Sequence, residues 1–241
     1  MNLSLPQLIA HVPSEADTIP FHDPMVEVSA AEAETIVGGL SKPGKMPCFG
    51  TSLSAKRCNV GTALRAVKGS TCKSCYACRG NYAWPTTVNA MERRYRALWD
   101  SRWTAAMVKA IRNTGNRYFR WHDSGDLQSV NHFRNIVEVA RHTPEVRHWL
   151  PTREYAIVRR FLASGGTIPA NLIVRASAAM MDATAPADFH HTSEVAMTDE
   201  YSAKREAEGV VKCIAYTQGG KCLDCRACWS SEVRTVIYPK H

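Results

Sequence analysis

Tyr118-Phe-Arg-Trp-His-Asp-Ser-Gly-Asp126 is the stretch whose reading decides the fold. Tyr118 to His122 has strand composition and runs directly into the polar turn Asp123-Ser-Gly-Asp126. Downstream, Phe133, Ile136, Val137 and Ala140 recur at helical spacing within Val130–His142, and Pro144 stops the run. The alternation then repeats. Arg147–Leu150 reads as a strand opening into Pro151-Thr152-Arg153, and a helix from Glu154 to Ala163 ends at Gly165-Gly166. Asn171–Ala176 reads as a third strand, opening at Ser177.

Strands alternating with helices predict an α/β fold with a parallel sheet and right-handed crossovers, either open or curled into a TIM-barrel-like or partial (βα) barrel. Such sheets collect ligands at the C-terminal ends of their strands. The residues at those ends are Asp123, Ser124, Gly125, Asp126, Thr152, Arg153 and Ser177, of which Ser124, Gly125, Asp126, Thr152, Arg153 and Ser177 become candidate cofactor-binding residues. Any one of these loops is explained by capping and turn formation; polar clustering after three successive strands favours a site.

Upstream, Thr86 or Thr87 can cap a long helix over Val88–Arg112, with Met91, Tyr95, Leu98, Met107 and Ile111 on one face and Asn113-Thr-Gly115 ending it. Residues 1–40 hold Pro6, Pro13, Pro20 and Pro24 and read as an extended arm with one short helix at Ala30–Val37. Residues 41–241 read as a single domain.

The chain carries nine cysteines. They fall into two groups, Cys48, Cys58, Cys72, Cys75 and Cys78 near one end and Cys213, Cys222, Cys225 and Cys228 near the other. The start of the chain shows no basic segment followed by a sustained apolar run, so a cytoplasmic location and reduced thiols are expected, with no disulfide framework and no membrane partner. Each group contains the triplet C-x2-C-x2-C, as Cys72-Lys-Ser-Cys75-Tyr-Ala-Cys78 and Cys222-Leu-Asp-Cys225-Arg-Ala-Cys228. Zinc commonly takes such cysteines in pairs, whereas three at this gap wrap a backbone around a [4Fe–4S] cube. An iron–sulfur site is therefore preferred over zinc, as one cluster or two. Cys213, with Cys222, Cys225 and Cys228, makes four ligands within sixteen residues, a set complete by itself. The other triplet can be completed by Cys58 or Cys48, or left with one open iron; Cys48 is the first candidate for a merely buried thiol.

Lysine and arginine number 30 against 22 acids, a net charge of +8, which favours polyanionic partners. Nucleic acid is thus a candidate partner, through arginines such as Arg93, Arg94, Arg96 and Arg102. His122-Asp123 and His190-His191 invite reading as catalytic or ligand pairs. Adjacent strand residues point to opposite faces, and paired histidines in a polar loop are more often solvated, so neither is adopted.

The strand ending in Ser124-Gly125-Asp126, the strand ending in Pro151-Thr152-Arg153, Cys72-x2-Cys75-Tyr76-Ala77 followed by Gly80-Asn-Tyr82, and the closing Cys222-x2-Cys225-Arg-Ala-Cys228-Trp229 resemble a group of phage-encoded proteins typified by the mycobacteriophage gene-eighty-eight product. The resemblance runs from about residue 42 to 230 and implies a location in the host cell cytoplasm. More distantly, C-x2-C-Y-A ahead of a (βα) barrel is similar to radical S-adenosylmethionine (SAM) enzymes. That resemblance implies an open iron, SAM held near Gly125 and Asp126, and an electron donor as partner. The first gap of the triplet is one residue shorter than that superfamily's C-x3-C-x2-C. The non-radical alternatives are a protein with a structural cluster and a zinc-stabilised nucleic-acid-binding protein.

Overall fold

A computed structural model describes residues 5–9 and 19–240. In chain order the elements are α1 (Leu5–Ile9), α2 (Ala30–Ile36), β1 (Phe49–Gly50), α3 (Asn59–Leu64), α4 (Pro85–Ala97), α5 (Trp103–Asn113) and β2 (Tyr118–Arg120). There follow α6 (Val130–Arg141), β3 (Arg147–Thr152), α7 (Tyr155–Ala163), β4 (Leu172–Ser177), β5 (His191–Ala196), α8 (Asp199–Ala207), β6 (Val211–Lys212) and β7 (Thr235–Pro239). The strands form one sheet in the order β1-β2-β3-β4-β5-β7-β6, parallel at every pairing and curled as a half-barrel.

The alternation anticipated from 118 to 177 is present as β2-α6-β3-α7-β4, with Phe119 opposite His148 and Leu150 opposite Val174. Ser129 starts α6 by accepting from the His132 N–H at 3.1 Å. The single helix expected over 88–112 is instead two. Asp100 interrupts it: its carboxylate accepts from the Arg102 backbone N–H at 2.9 Å, and its carbonyl accepts from Trp103 N–H at 2.9 Å. Local side-chain bonding of this kind competes with the helical ladder and turns the chain between α4 and α5.

The sheet buries its two faces differently. On one side Phe119, Trp121, Leu150 and Val174 pack with Phe133, Ile136, Ile157 and Phe161 of α6 and α7 in the main core. Each such side chain contributes roughly 1.5–3 kcal/mol by leaving water. Ile19, Ala33, Ile36 and Val37 join that core, so the described part of the arm is packed against the domain, with α2 lying on α5. The Ala30–Val37 helix is present, closed at its start by a reciprocal bond pair between Ser29 and Glu32. The remainder of the arm, apart from residues 5–9, lies outside the described residues.

On the other face Tyr118, Trp149 and Tyr238 meet Met46, Cys48, Trp229, Cys222 and Cys228. The segments carrying Cys48 and Cys222–Cys228 thus cover this face, while Cys72 packs with Val60 and Leu64 of α3. Among the described residues no helix is long and apolar enough to cross a membrane.

Candidate metal centre

The N-terminal cysteines are gathered by two short loops. Cys58 stands immediately before α3, and Cys72, Cys75 and Cys78 follow one another through successive tight turns, Cys75 N–H to Cys72 O and Cys78 N–H to Cys75 O, both 3.2 Å. The loops meet over Gly61. A β-carbon built there would lie 3.6 Å from both the Cys58 and the Cys72 Sγ, so the missing side chain leaves room where the thiols converge. Burial pushes the Cys58 thiol well up, and neighbouring Asp126, Cys72, Glu154 and Cys75 push it further. Burial likewise raises Cys75, with Cys78 and Cys72 beside it. Cys78 is exposed.

The turn Ser124-Gly125-Asp126 locks this end of the sheet together. Ser124 Oγ donates to the Leu53 carbonyl at 2.8 Å, and Gly125 adopts φ +81° against the Leu53 backbone. The buried Asp126 carboxylate accepts from Thr152 Oγ1 at 2.6 Å, Leu127 N–H at 2.8 Å and Arg153 N–H at 2.9 Å. Thr152 Oγ1 in turn accepts from the Glu154 N–H. Ser177 accepts from Ser193 Oγ through its hydroxyl and from Tyr155 through its carbonyl. Asp126, Thr152 and Arg153 are therefore bonded to one another, while Ser124 and Gly125 engage Leu53, and Ser177 engages Tyr155 and Ser193.

Two neighbours face the thiols directly. Arg153 anchors its Nε on the Ala178 carbonyl at 3.1 Å. Burial opposes its charge, but Cys72, Tyr155, Asp126 and Cys75 more than offset that and hold its pKa up. Glu154 Oε1 accepts from the Asn59 and Val60 N–H groups at the start of α3, at 3.1 and 2.9 Å. Its Oε2 is buried with no partner, and burial followed by the nearby Asp126 pushes the carboxyl up to about 8.

The C-terminal set is held by arginine. Arg175, fully buried, donates to the carbonyls of Cys228, Ala227, Ser230, Val233, Thr192 and Arg234 at 2.7–3.3 Å. Cys228 is thereby tied to the sheet, while Cys213 N–H donates to the Ile237 carbonyl and Cys222 N–H to the Lys45 carbonyl, both at 2.8 Å. Cys222 neighbours Cys213 and Cys225, and Cys228 neighbours Cys213. Cys228 Sγ lies 3.2 Å from the Tyr238 hydroxyl, and burial pushes its thiol up to about 11. Cys48 is indeed buried, with its thiol pushed up to about 12 by burial, but it stands beside Cys222.

Arg120 faces the same set. Cys48, Cys222 and Cys228 all feel its charge, and its guanidinium lies 4.6 Å over the Trp149 ring. Arg120 Nε and Trp149 Nε1 are both buried with no hydrogen-bond partner. Neither Arg120, Arg153 nor Arg175 forms an ion pair among the described residues.

Among the described residues no three or more His, Cys, Asp or Glu side chains stand in a group that could hold a metal ion. The thiols converge without closing a ligand shell. The donor chemistry nevertheless suits a thiolate-bound metal: sulfur-only sets and a cation beside each.

Arginines of the α4–α5 region offer less free positive surface than their number suggests. Arg94 is buried, Arg96 pairs with Glu92, and Arg102 pairs with Asp100 and Glu32. Sequence reading missed Arg120, Arg175 and Glu154 as site residues. For the arginines, a charged residue inside an otherwise apolar strand was the available signal; Glu154 is indistinguishable in sequence from an ordinary helix-start acid.

No curated protein and no solved structure matches the chain. A family model described as "Gene product 88" matches residues 26–231. That span includes both cysteine triplets, Arg175 and the whole β2-to-β4 alternation, and the chain therefore belongs to the gene product 88 family.

Proposed function

We propose that this chain is an iron–sulfur protein that handles electrons. Cys213, Cys222, Cys225 and Cys228 would hold one [4Fe–4S] cluster, and Cys58, Cys72, Cys75 and Cys78 a second. Bound there, such clusters supply one-electron redox chemistry.

The observation that carries this reading is the placement of buried arginines against each thiol set, Arg120 and Arg175 at one and Arg153 at the other, none of them in a direct ion pair among the described residues, with Asp123 near Arg120 and Asp126 near Arg153 as the neighbouring carboxylates. A buried guanidinium held without a direct ion pair is costly, and neutral thiols add little to what nearby carboxylates and carbonyls supply. A thiolate-ligated metal is anionic and restores the balance. Charge alone would serve zinc as well; the third cysteine in each C-x2-C-x2-C favours iron and sulfide.

In this reading the chain's own groups hold and tune the sites. Arg175 fixes the loop carrying Cys228. Arg120 Nε–H and Trp149 Nε1–H are unused donors next to the C-terminal set, suited to accept-capable sulfur. Glu154 orders the start of α3 behind Cys58.

SAM cleavage is not favoured, because the Asp126 carboxylate that the resemblance would assign to SAM already accepts three protein hydrogen bonds. The test is anaerobic reconstitution with iron and sulfide, followed by absorption and electron paramagnetic resonance spectra before and after dithionite. A brown protein with a reducible cluster signal, and no 5′-deoxyadenosine when SAM is added, supports the reading. A colourless, zinc-loaded protein overturns it; deoxyadenosine formation would instead assign radical chemistry to the N-terminal set.

A further inference from the structure

The cleft between the 41–43 segment, the end of β1 and the start of α4 is not used by the cysteine sets. It encloses about 400 Å³, within the range of small-molecule sites. Lys42, Ser52, Tyr82, Thr87, Arg94 and Asp123 line it. It opens at the C-terminal ends of β1 and β2, where parallel sheets collect ligands.

Its electrostatics select the ligand. Arg94, nine-tenths buried, uses Nε on the Gly39 carbonyl and Nη1 on Ser52 Oγ, both at 2.7 Å, and has no ion pair among the described residues. Arg94 lines the cleft. Lys42 lies 5.3 Å over the Phe49 ring and likewise lacks an acid partner there. The one carboxylate present, Asp123, already accepts from Ser41 Oγ at 3.3 Å and Tyr82 Oη at 3.0 Å. The cleft is completed by the first turn of the thirteen-residue α4, where no side chain caps the helix and Thr86 and Thr87 line the opening. Two cations, an uncapped helix start and several hydroxyls around a half-open space suit a phosphate group.

We propose that this cleft binds a phosphate-bearing small molecule of nucleotide size, with the phosphate held by Lys42, Arg94 and the start of α4. Tyr76, within the Cys72–Cys78 loop, donates to the Asp123 carbonyl at 2.5 Å and packs edge-on against Tyr82. The site therefore adjoins the N-terminal cysteines, although its phosphate recognition does not depend on a metal there.

The test is calorimetric titration of the full chain at low ionic strength with three probes: AMP, inorganic phosphate and adenosine. Saturable binding of AMP and phosphate but not adenosine is expected. Lys42→Glu, an exposed change that leaves the Arg94 contacts intact, should weaken AMP binding by about tenfold or more. Circular dichroism of that variant checks its fold; if it is unfolded, Lys42→Gln supplies the comparison, with a smaller loss expected. Absence of binding by either phosphate probe, equal binding of adenosine and AMP, or AMP binding unchanged in a folded Lys42 variant overturns the proposal.

Discussion

Arg175 Nε donates to the Cys228 carbonyl at 3.0 Å, which ties a buried cation in the middle of β4 to the last cysteine of the chain. The same guanidinium satisfies five further carbonyls, so removing it orphans a whole loop. Arg175→Met should destabilise the protein by about 3–5 kcal/mol, and Arg175→Lys by less, since an ammonium still satisfies some of the acceptors that Met leaves unpaired. Chemical denaturation measures both. Iron content of Arg175→Lys should fall if the loop positions ligands, and should stay at wild-type level if the arginine is only a staple.

Gly61 gives a sharper probe of the N-terminal set. In an ordinary helix, Gly→Ala stabilises by about 0.5–1 kcal/mol. Here the added methyl would lie 3.0 Å from Cys58 Cβ and 3.6 Å from both Sγ atoms. Gly61→Ala is expected to keep the fold and lower metal retention at this set, leaving the C-terminal set loaded. Full metal content in the variant would show that the space between Cys58 and Cys72 has no ligand role.

Glu154 sets a pH dependence. Its folded carboxyl titrates near 8 against an ordinary value of 4.5, so between those limits the folded state binds more protons than the unfolded state. Its contribution is therefore fully present below about pH 4.5 and is lost as pH rises through 8. Glu154→Gln keeps an acceptor for Asn59 and Val60 and carries no charge. Relative to wild type, it should gain about 1 kcal/mol or more at pH 8–9 and little at pH 5 in denaturation of metal-free protein. Equal pH profiles for the two would contradict this assignment.

Gly125 is required by its backbone. At φ +81°, with the Leu53 carbonyl oxygen 2.8 Å from where a β-carbon would sit, neither strain nor contact can be relieved by a side chain moving aside. Gly125→Ala should cost about 2–4 kcal/mol in thermal or chemical melts. A cost below about 0.5 kcal/mol would mean that β1 and the β2 turn are less tightly joined than described.

Most of what could be read in the sequence was local. The β2-to-β4 alternation announced itself because each helix carries its own periodicity and each strand ends in a polar turn. The break at Asp100 was hidden because Met91 to Ile111 keep an apolar face on both sides of it; only the backbone bonds of Asp100 reveal the turn. β1 and β6, at two residues each, and β7, after a long cysteine loop, have too little pattern to see. The strand-end position of the candidates was legible, but not that Asp126 is occupied by Thr152, Leu127 and Arg153, a set of contacts that only tertiary structure creates. Cys58 joining Cys72 was open in the sequence, since thirteen residues separate them; Gly61 is what brings them together. Arg120 and Arg175 stood out only as charged residues inside apolar strands; that they face the thiols was not legible, because they meet the cysteines across the sheet, far along the chain.

The most direct measurement is an anaerobic count of iron and acid-labile sulfide, with Mössbauer spectra, on the full chain and on Cys225→Ala and Cys72→Ala variants. Iron and sulfide in equal amounts, about eight of each per chain when both sets are filled, with each variant losing about half, is the predicted result. Stoichiometric zinc without sulfide, or no metal bound by either set, would contradict it.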